Sequence, residues 1–161
     1  MKKVNFKLLF LSALIAINCN VMASCQTQFL SALPSGEGIE KVYLSKMMLS
    51  MMNRDGDLLG NDFMKDILGG DNSLEVYECS KKDLIPSILE SYDKIMQKYD
   101  KQILVEEENS LNKNMIYLLY SKGEDTTPIG MVISDVSDTS LSITMITGKI
   151  NIDGISELMK Y

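Results

Sequence analysis

Not one of the 161 residues is a histidine, and tryptophan is missing as well. Without an imidazole no Ser-His-Asp or Cys-His pair can be built, and zinc sites that depend on histidine are excluded with it. Cysteine is scarce: Cys19, Cys25 and Cys79 are the full set. A zinc centre made of cysteine alone needs four thiolates, so that class goes too. Gly123, Gly130 and Gly148 stand singly, which leaves no glycine-rich loop to cradle a phosphate. Basic residues are outnumbered, 16 Lys and Arg against 22 Asp and Glu. An acidic chain repels phosphate backbones, and nucleic-acid binding is disfavoured.

A long apolar run is also lacking, and the N-terminus shows why that matters. Lys2, Lys3 and Lys7 precede LLFLSALIAI at Leu8–Ile17, and the chain then turns small and polar through Ser24. About 20 apolar residues are needed to cross a bilayer. This run is half that, so residues 1–24 read as a secretory signal peptide and the expected location is the cell envelope. Removing it takes three lysines, which leaves 13 basic residues against 22 acidic ones and a net charge near −9. Such a charge argues against adsorption to anionic lipid, so membrane attachment is expected through an acyl chain.

Two cleavage signals overlap. Val21-Met22-Ala23 suits a general signal peptidase and would leave Ser24 first. Met22-Ala23-Ser24-Cys25 is similar to a lipobox, with Met22 where Leu, Val or Ile is usual, and makes Cys25 the lipidation site of a membrane-anchored lipoprotein. With Cys25 acylated, Cys79 is the remaining thiol and is expected in the core. With cleavage after Ala23 the protein is soluble in the periplasm or secreted, and Cys25 and Cys79 could pair as a disulfide.

The mature length suits one domain. Residues 25–38 read as a short tether or N-terminal helix, with Phe29, Leu30 and Leu33 able to dock on a core. Residues 39–161 then read as a single α+β domain. A strand is expected over Ile39–Ser45, followed by a helix whose core-facing stripe is Leu44, Met47, Met48, Met51 and Met52. Asp62 caps a short helix to Leu68, and residues 73–79 form a second strand. Leu84, Ile88, Tyr92, Ile95, Met96 and Tyr99 mark the longest helix, with Pro86 near its start.

The last third changes period. Residues 101–107, 115–121, 129–136 and 141–147 are β-rich runs separated by turn residues, which predicts a four-strand meander in a mainly antiparallel sheet. Leu141, Ile143 and Met145 alternate with Ser140, Ser142 and Thr144. One sheet face should therefore be dry and the other wet, with the helices packed on one face. Ile152, Ile155 and Leu158 predict a terminal helix.

Candidate chemistry is thin. Asn53, Asp55 and Asp57 alternate as in a calcium loop, but Gly56 falls at position four instead of six, so a solvated turn is the expected reading. Glu106, Glu107 and Glu108 read as a solvated edge that discourages strand-to-strand aggregation. The methionines at 47, 48, 51 and 52 could otherwise form an adaptable binding groove. No catalytic, cofactor-binding or metal-ligating residue is assigned, and no cofactor is expected.

The order of parts is more specific than any one motif. GIEKVYLSKMMLSMM, a Tyr-containing helix in SYDKIMQKYDKQILVEE, and an ending ITMITGKINIDGISELMK resemble a family of small exported Bacteroidota proteins catalogued only as a domain of unknown function. The resemblance implies an envelope location and one α+β domain, and no activity. The expected function is a non-catalytic envelope lipoprotein that binds a protein or peptide partner. A periplasmic carrier of a small molecule or lipid is the alternative.

Overall fold

A computed structural model describes residues 29–54, 72–124 and 126–150. The signal segment, Cys25, Asp55, Asp57, the short helix read at 62–68 and the terminal helix residues Ile152, Ile155 and Leu158 lie outside the described residues. The elements are β1 (Ile39–Leu44), α1 (Lys46–Arg54), β2 (Ser73–Cys79), α2 (Ile85–Met96), β3 (Tyr99–Glu108), β4 (Asn112–Ser121), β5 (Gly130–Ser137) and β6 (Leu141–Thr147). Single 3-10 turns sit at Leu30–Ala32 and Lys82–Leu84.

The strands form one six-stranded sheet in the order β1-β2-β6-β5-β4-β3, antiparallel at every step. An α+β class follows. Strands β3 to β6 pair in chain order, and β2 inserts beside β6 so that β1 and β3 become the two edges. Gly130 sits at the start of β5 where a Cβ would come within 2.8 Å of the Ile146 carbonyl, so a side chain there would push the two strands apart. Gly38, at φ +78°, turns the chain into β1 against the Lys81 stem.

Successive strand residues face opposite sides, and the apolar residues divide accordingly. On the first face Tyr77, Cys79, Ile143, Met145, Tyr117 and Val132 pack beneath Ile85, Ile88, Tyr92 and Met96 of α2. Leu30 and Leu33 of the N-terminal turn, each 3% exposed, complete that cluster. On the second face Leu74, Val76, Ile146, Met131 and Leu118 pack with Leu49 of α1 and with Ile150. The expectation of one dry and one wet face, with the helices on one face, is corrected here. Thr144, expected on the wet side, is buried, and the two helices contribute to clusters on opposite faces.

The methionine stripe is corrected as well. Leu44 ends β1, so it cannot set the phase of the helix that follows. The Ser45 hydroxyl accepts the Met48 amide at 3.3 Å and its carbonyl accepts the Leu49 amide at 3.0 Å, which starts α1 one residue later. That phase buries Leu49, half-buries Met48 and leaves Met47 and Met51 at 66% and 58% exposure.

Truncating a side chain in the first cluster should open a cavity that close-packed neighbours cannot fill. Ile143→Ala, at a fully buried position, is expected to lower unfolding free energy by about 2–5 kcal/mol in urea titrations. Ile103→Ala, at an exposed position on an edge strand, should change it by less than about 1 kcal/mol.

Candidate functional site

Among the described residues, one buried polar group is a carboxylate, on the inner strand β2. Glu75 is 4% exposed and points to the first face between Tyr43 of β1 and Met145 of β6. Its carboxylate accepts the backbone N–H of Phe29 at 2.9 Å and of Leu30 at 2.8 Å. Burial pushes the Glu75 carboxyl above its ordinary value, while the two amides and the nearby Lys41 ammonium pull it down. Two neighbours finish the clasp. Lys41 Nζ donates to the Leu33 carbonyl at 2.6 Å, and the Tyr77 hydroxyl donates to the Pro34 carbonyl at 3.0 Å. The ammonium also lies 5.5 Å from the centre of the Tyr77 ring.

The clasp fixes how the chain enters the domain. Phe29 packs its ring against Tyr99, with centroids 5.3 Å apart, at the end of the sheet where β3 begins. From there residues 30–38 run along the first face past Glu75 and Tyr77. At the opposite end the Gly38 carbonyl accepts the Ser80 amide, and β1 returns. Among the sequence candidates, Phe29, Leu30 and Leu33 do dock as expected.

Beside the clasp lies a buried tyrosine pair. The Tyr92 hydroxyl of α2 and the Tyr117 hydroxyl of β4 are hydrogen-bonded to each other. Burial is the main cause that pushes Tyr117 up to about 12, and it raises Tyr92 further. Tyr77 is likewise pushed up to about 12 by burial. Cys79 is 2% exposed and its thiol is directed at the Lys81 carbonyl, so it sits as a core residue.

The strand register gathers a second group that the linear sequence scatters. Glu40, Glu78, Ser142, Asp135, Asn114 and Glu107 occupy successive positions across all six strands, on the second face near the Cys79 end. Burial, and then the facing Glu40, raise the Glu78 carboxyl. On the other face of that end, Lys113 lies 2.9 Å from Glu106 and 3.1 Å from Glu108. Glu106–Glu108 are exposed on edge strand β3, whose ladder carries a bulge between Ile103 and Val105. Charge and bulge both blunt that edge.

Two open hollows of about 370 Å³ each lie at opposite ends of the sheet. In one, Asp100 accepts the Gly123 amide at 2.8 Å and Tyr120 donates to Gln102 at 2.8 Å. The other lies where Lys82 and Pro86 meet the turns around Leu111 and Asp138. Among the described residues no group of three or more acidic or cysteine side chains is placed to hold a metal. No helix among them is long and apolar enough to cross a membrane.

A family model described as a domain of unknown function, DUF4252, matches residues 35–158. The chain belongs to the DUF4252 family. Lys41, Glu75 and Tyr77 thus lie within the family domain, whereas the 29–34 segment they clasp lies just ahead of it. No curated protein and no solved structure matches the chain.

Removing the Glu75 acceptor should orphan two buried donors. Glu75→Ala is expected to destabilise the domain by about 2–3 kcal/mol and to speed hydrogen exchange at the Phe29 and Leu30 amides. Exchange left unchanged at those two amides would show that the clasp does not hold the segment. The tyrosines give a second test, with a definite sign. Between pH 10 and about 12 the folded state keeps protons on Tyr77 and Tyr117 that the unfolded chain has released. Stability contributed by these groups is complete below pH 10 and is lost as pH rises toward 12. Denaturant midpoints should fall across that window, and Tyr92→Phe should make the fall shallower.

Proposed function

We propose that this DUF4252 chain is an exported, non-catalytic lipoprotein of the cell envelope. Its acyl anchor is at Cys25, and its domain binds a protein or peptide partner. The observation that carries the reading is the clasp. Phe29 and Leu30 are held by Glu75 four residues after Cys25, so an acyl chain there would leave almost no free tether and would fix how the domain stands on the membrane. The leader supports export, and the absence of histidine from the whole chain supports a binding role over acid-base or nucleophilic chemistry.

The partner surface favoured by the sheet is its β1 edge. The β3 edge is bulged and carries three exposed glutamates, whereas β1 turns the one lysine of IEKVYL inward to the Leu33 carbonyl. An extended peptide added beside β1 would use main-chain hydrogen bonds for affinity. The carrier alternative draws less support. The space between α2 and the sheet is filled by Ile88, Tyr92, Met96 and Tyr117, all buried.

Metabolic labelling with a palmitate analogue should mark the wild-type protein and leave Cys25→Ala unlabelled; equal labelling of both would remove the anchor. Affinity capture of the tagged protein from native envelopes should recover a partner above the Cys25→Ala control. A clean capture with nothing above that control would count against partner binding.

A further inference from the structure

Residues 29–34 lie on the domain as a bound peptide lies in a groove. Glu75, Lys41 and Tyr77 hold them by the main chain: Glu75 accepts the Phe29 and Leu30 amides, Lys41 donates to the Ser31 and Leu33 carbonyls at 3.4 and 2.6 Å, and Tyr77 donates to the Pro34 carbonyl. Main-chain bonds of this kind give affinity without selecting side chains; pockets do the selecting. Here the selection falls on Leu30 and Leu33. The Leu33 amide donates to the Leu30 carbonyl at 3.2 Å, a 3-10 turn that sets the two side chains one above the other, and both enter the first cluster at 3% exposure. Ser31, Ala32 and Pro34 stay exposed, so the outer side of the segment faces solvent. Ser35, Gly36 and Glu37 lead away from it, also exposed, and nothing stands within 4 Å of where a Gly36 Cβ would be.

We infer that Lys41, Glu75 and Tyr77 form a peptide-binding groove on the first face, that residues 29–34 fill it from within the chain, and that a segment of a protein partner displaces them. The ligand is a peptide with two leucine-sized residues three apart. Proline is barred from the first of these and from the residue before it, since Glu75 takes both amides, and the two residues in between are free to vary. A partner is favoured over a second copy because Lys41 belongs to β1, whose outer side pairs with no described strand. A partner chain in the groove can continue along that edge and add main-chain bonds, whereas two copies that trade residues 29–34 replace like with like. The groove is independent of the lipoprotein reading; the partner rests on the binding role proposed above.

The test uses the chain from Ser24 to Tyr161, with the synthetic peptide QTQFLSALPS, residues 26–35, as probe. On their short linker, residues 29–34 compete at an effective concentration of about millimolar. Millimolar probe should therefore displace a large share of them from isotope-labelled protein and speed hydrogen exchange at the Phe29 and Leu30 amides about tenfold or more. A site-specific protease sequence inserted between Ser35 and Gly36, both exposed, then lets the linker be cut after folding. The cut protein should keep its circular dichroism and take up fluorescent probe in exchange for its own segment. Probe carrying Leu30→Asp and Leu33→Asp should bind about a hundredfold more weakly, and probe carrying Ala32→Lys as well as the parent. Glu75→Gln in the cut protein should weaken binding about tenfold. Exchange in the uncut chain that the probe leaves unchanged, or loss of the fold on cutting, makes residues 29–34 a fixed part of the core and overturns the groove. Dimers of the uncut chain that the probe dissolves, seen by native mass spectrometry, would assign the groove to trading between copies and overturn the partner. Because the probe is synthetic, these readouts are separate from the envelope capture, which decides whether a partner is recovered at all.

Discussion

A carboxylate buried in the centre of a sheet is expensive to keep unless something satisfies it, and in this fold the arrangement around Glu75 is organised by that requirement. The Phe29 and Leu30 amides satisfy it, and those amides belong to the segment whose Leu30 and Leu33 close the first face of the sheet. Each side makes the burial of the other tolerable. Take away the carboxylate and two backbone donors lose their acceptor; take away the segment and an ionised group is left in an apolar setting. Lys41 and Tyr77 extend the dependence by capturing the Leu33 and Pro34 carbonyls. From Phe29 on, the segment that reads in the sequence as a short tether or N-terminal helix is bonded into the domain, and the direction in which it arrives is fixed with it.

The same requirement follows from a sheet covered on both faces. Strands β2 and β6 lie at inner positions of the sheet, and nearly every residue of each is buried. A polar side chain in such a strand has no wet side to turn to, so Glu75, Ser73 and Thr144 stay inside. Ser73 solves this by bonding to Thr147 across the β2–β6 pair at 2.6 Å. The edges obey other rules. On β3 the glutamates are exposed, and their charge together with the bulge keeps the strand from templating another.

Much of the element order was legible from periodicity, because strands with two-residue alternation and a helix with three- and four-residue steps leave strong patterns. The strand over Ile39–Leu44 and the helix through Ile88, Tyr92 and Met96 are examples. Where local pattern and structure differ, tertiary context decides. Tyr99 continues the helical spacing from Met96, yet it opens β3, where it pairs with Ser121 and its ring packs on Phe29. Met47 and Met51 fit an apolar stripe, but Ser45 sets the helix phase and buries Leu49 instead. Glu75 in SLEVYEC is a charged residue between the apolar Leu74 and Val76. Nothing local could show that the second face would be covered too, or that amides 45 and 46 residues away would meet the carboxylate. The acidic row was invisible for the same reason, since Glu40, Glu78, Asp135 and Glu107 become neighbours only through the strand register.

Composition misleads most where charge is concerned. A net charge is a single number for the whole chain, whereas each site responds to the field of the groups nearest to it. Over the roughly 20 Å that separates Lys101 from the Glu107 row, screening at physiological salt reduces an interaction to about a tenth of its unscreened value. The carboxylates that the register gathers at Glu40, Glu78, Asp135 and Glu107 therefore act on their own end of the sheet and little on the other. Glu75 pins the entering chain beside Tyr99, so the end of the sheet at which the chain arrives is set by a carboxylate 46 residues further along.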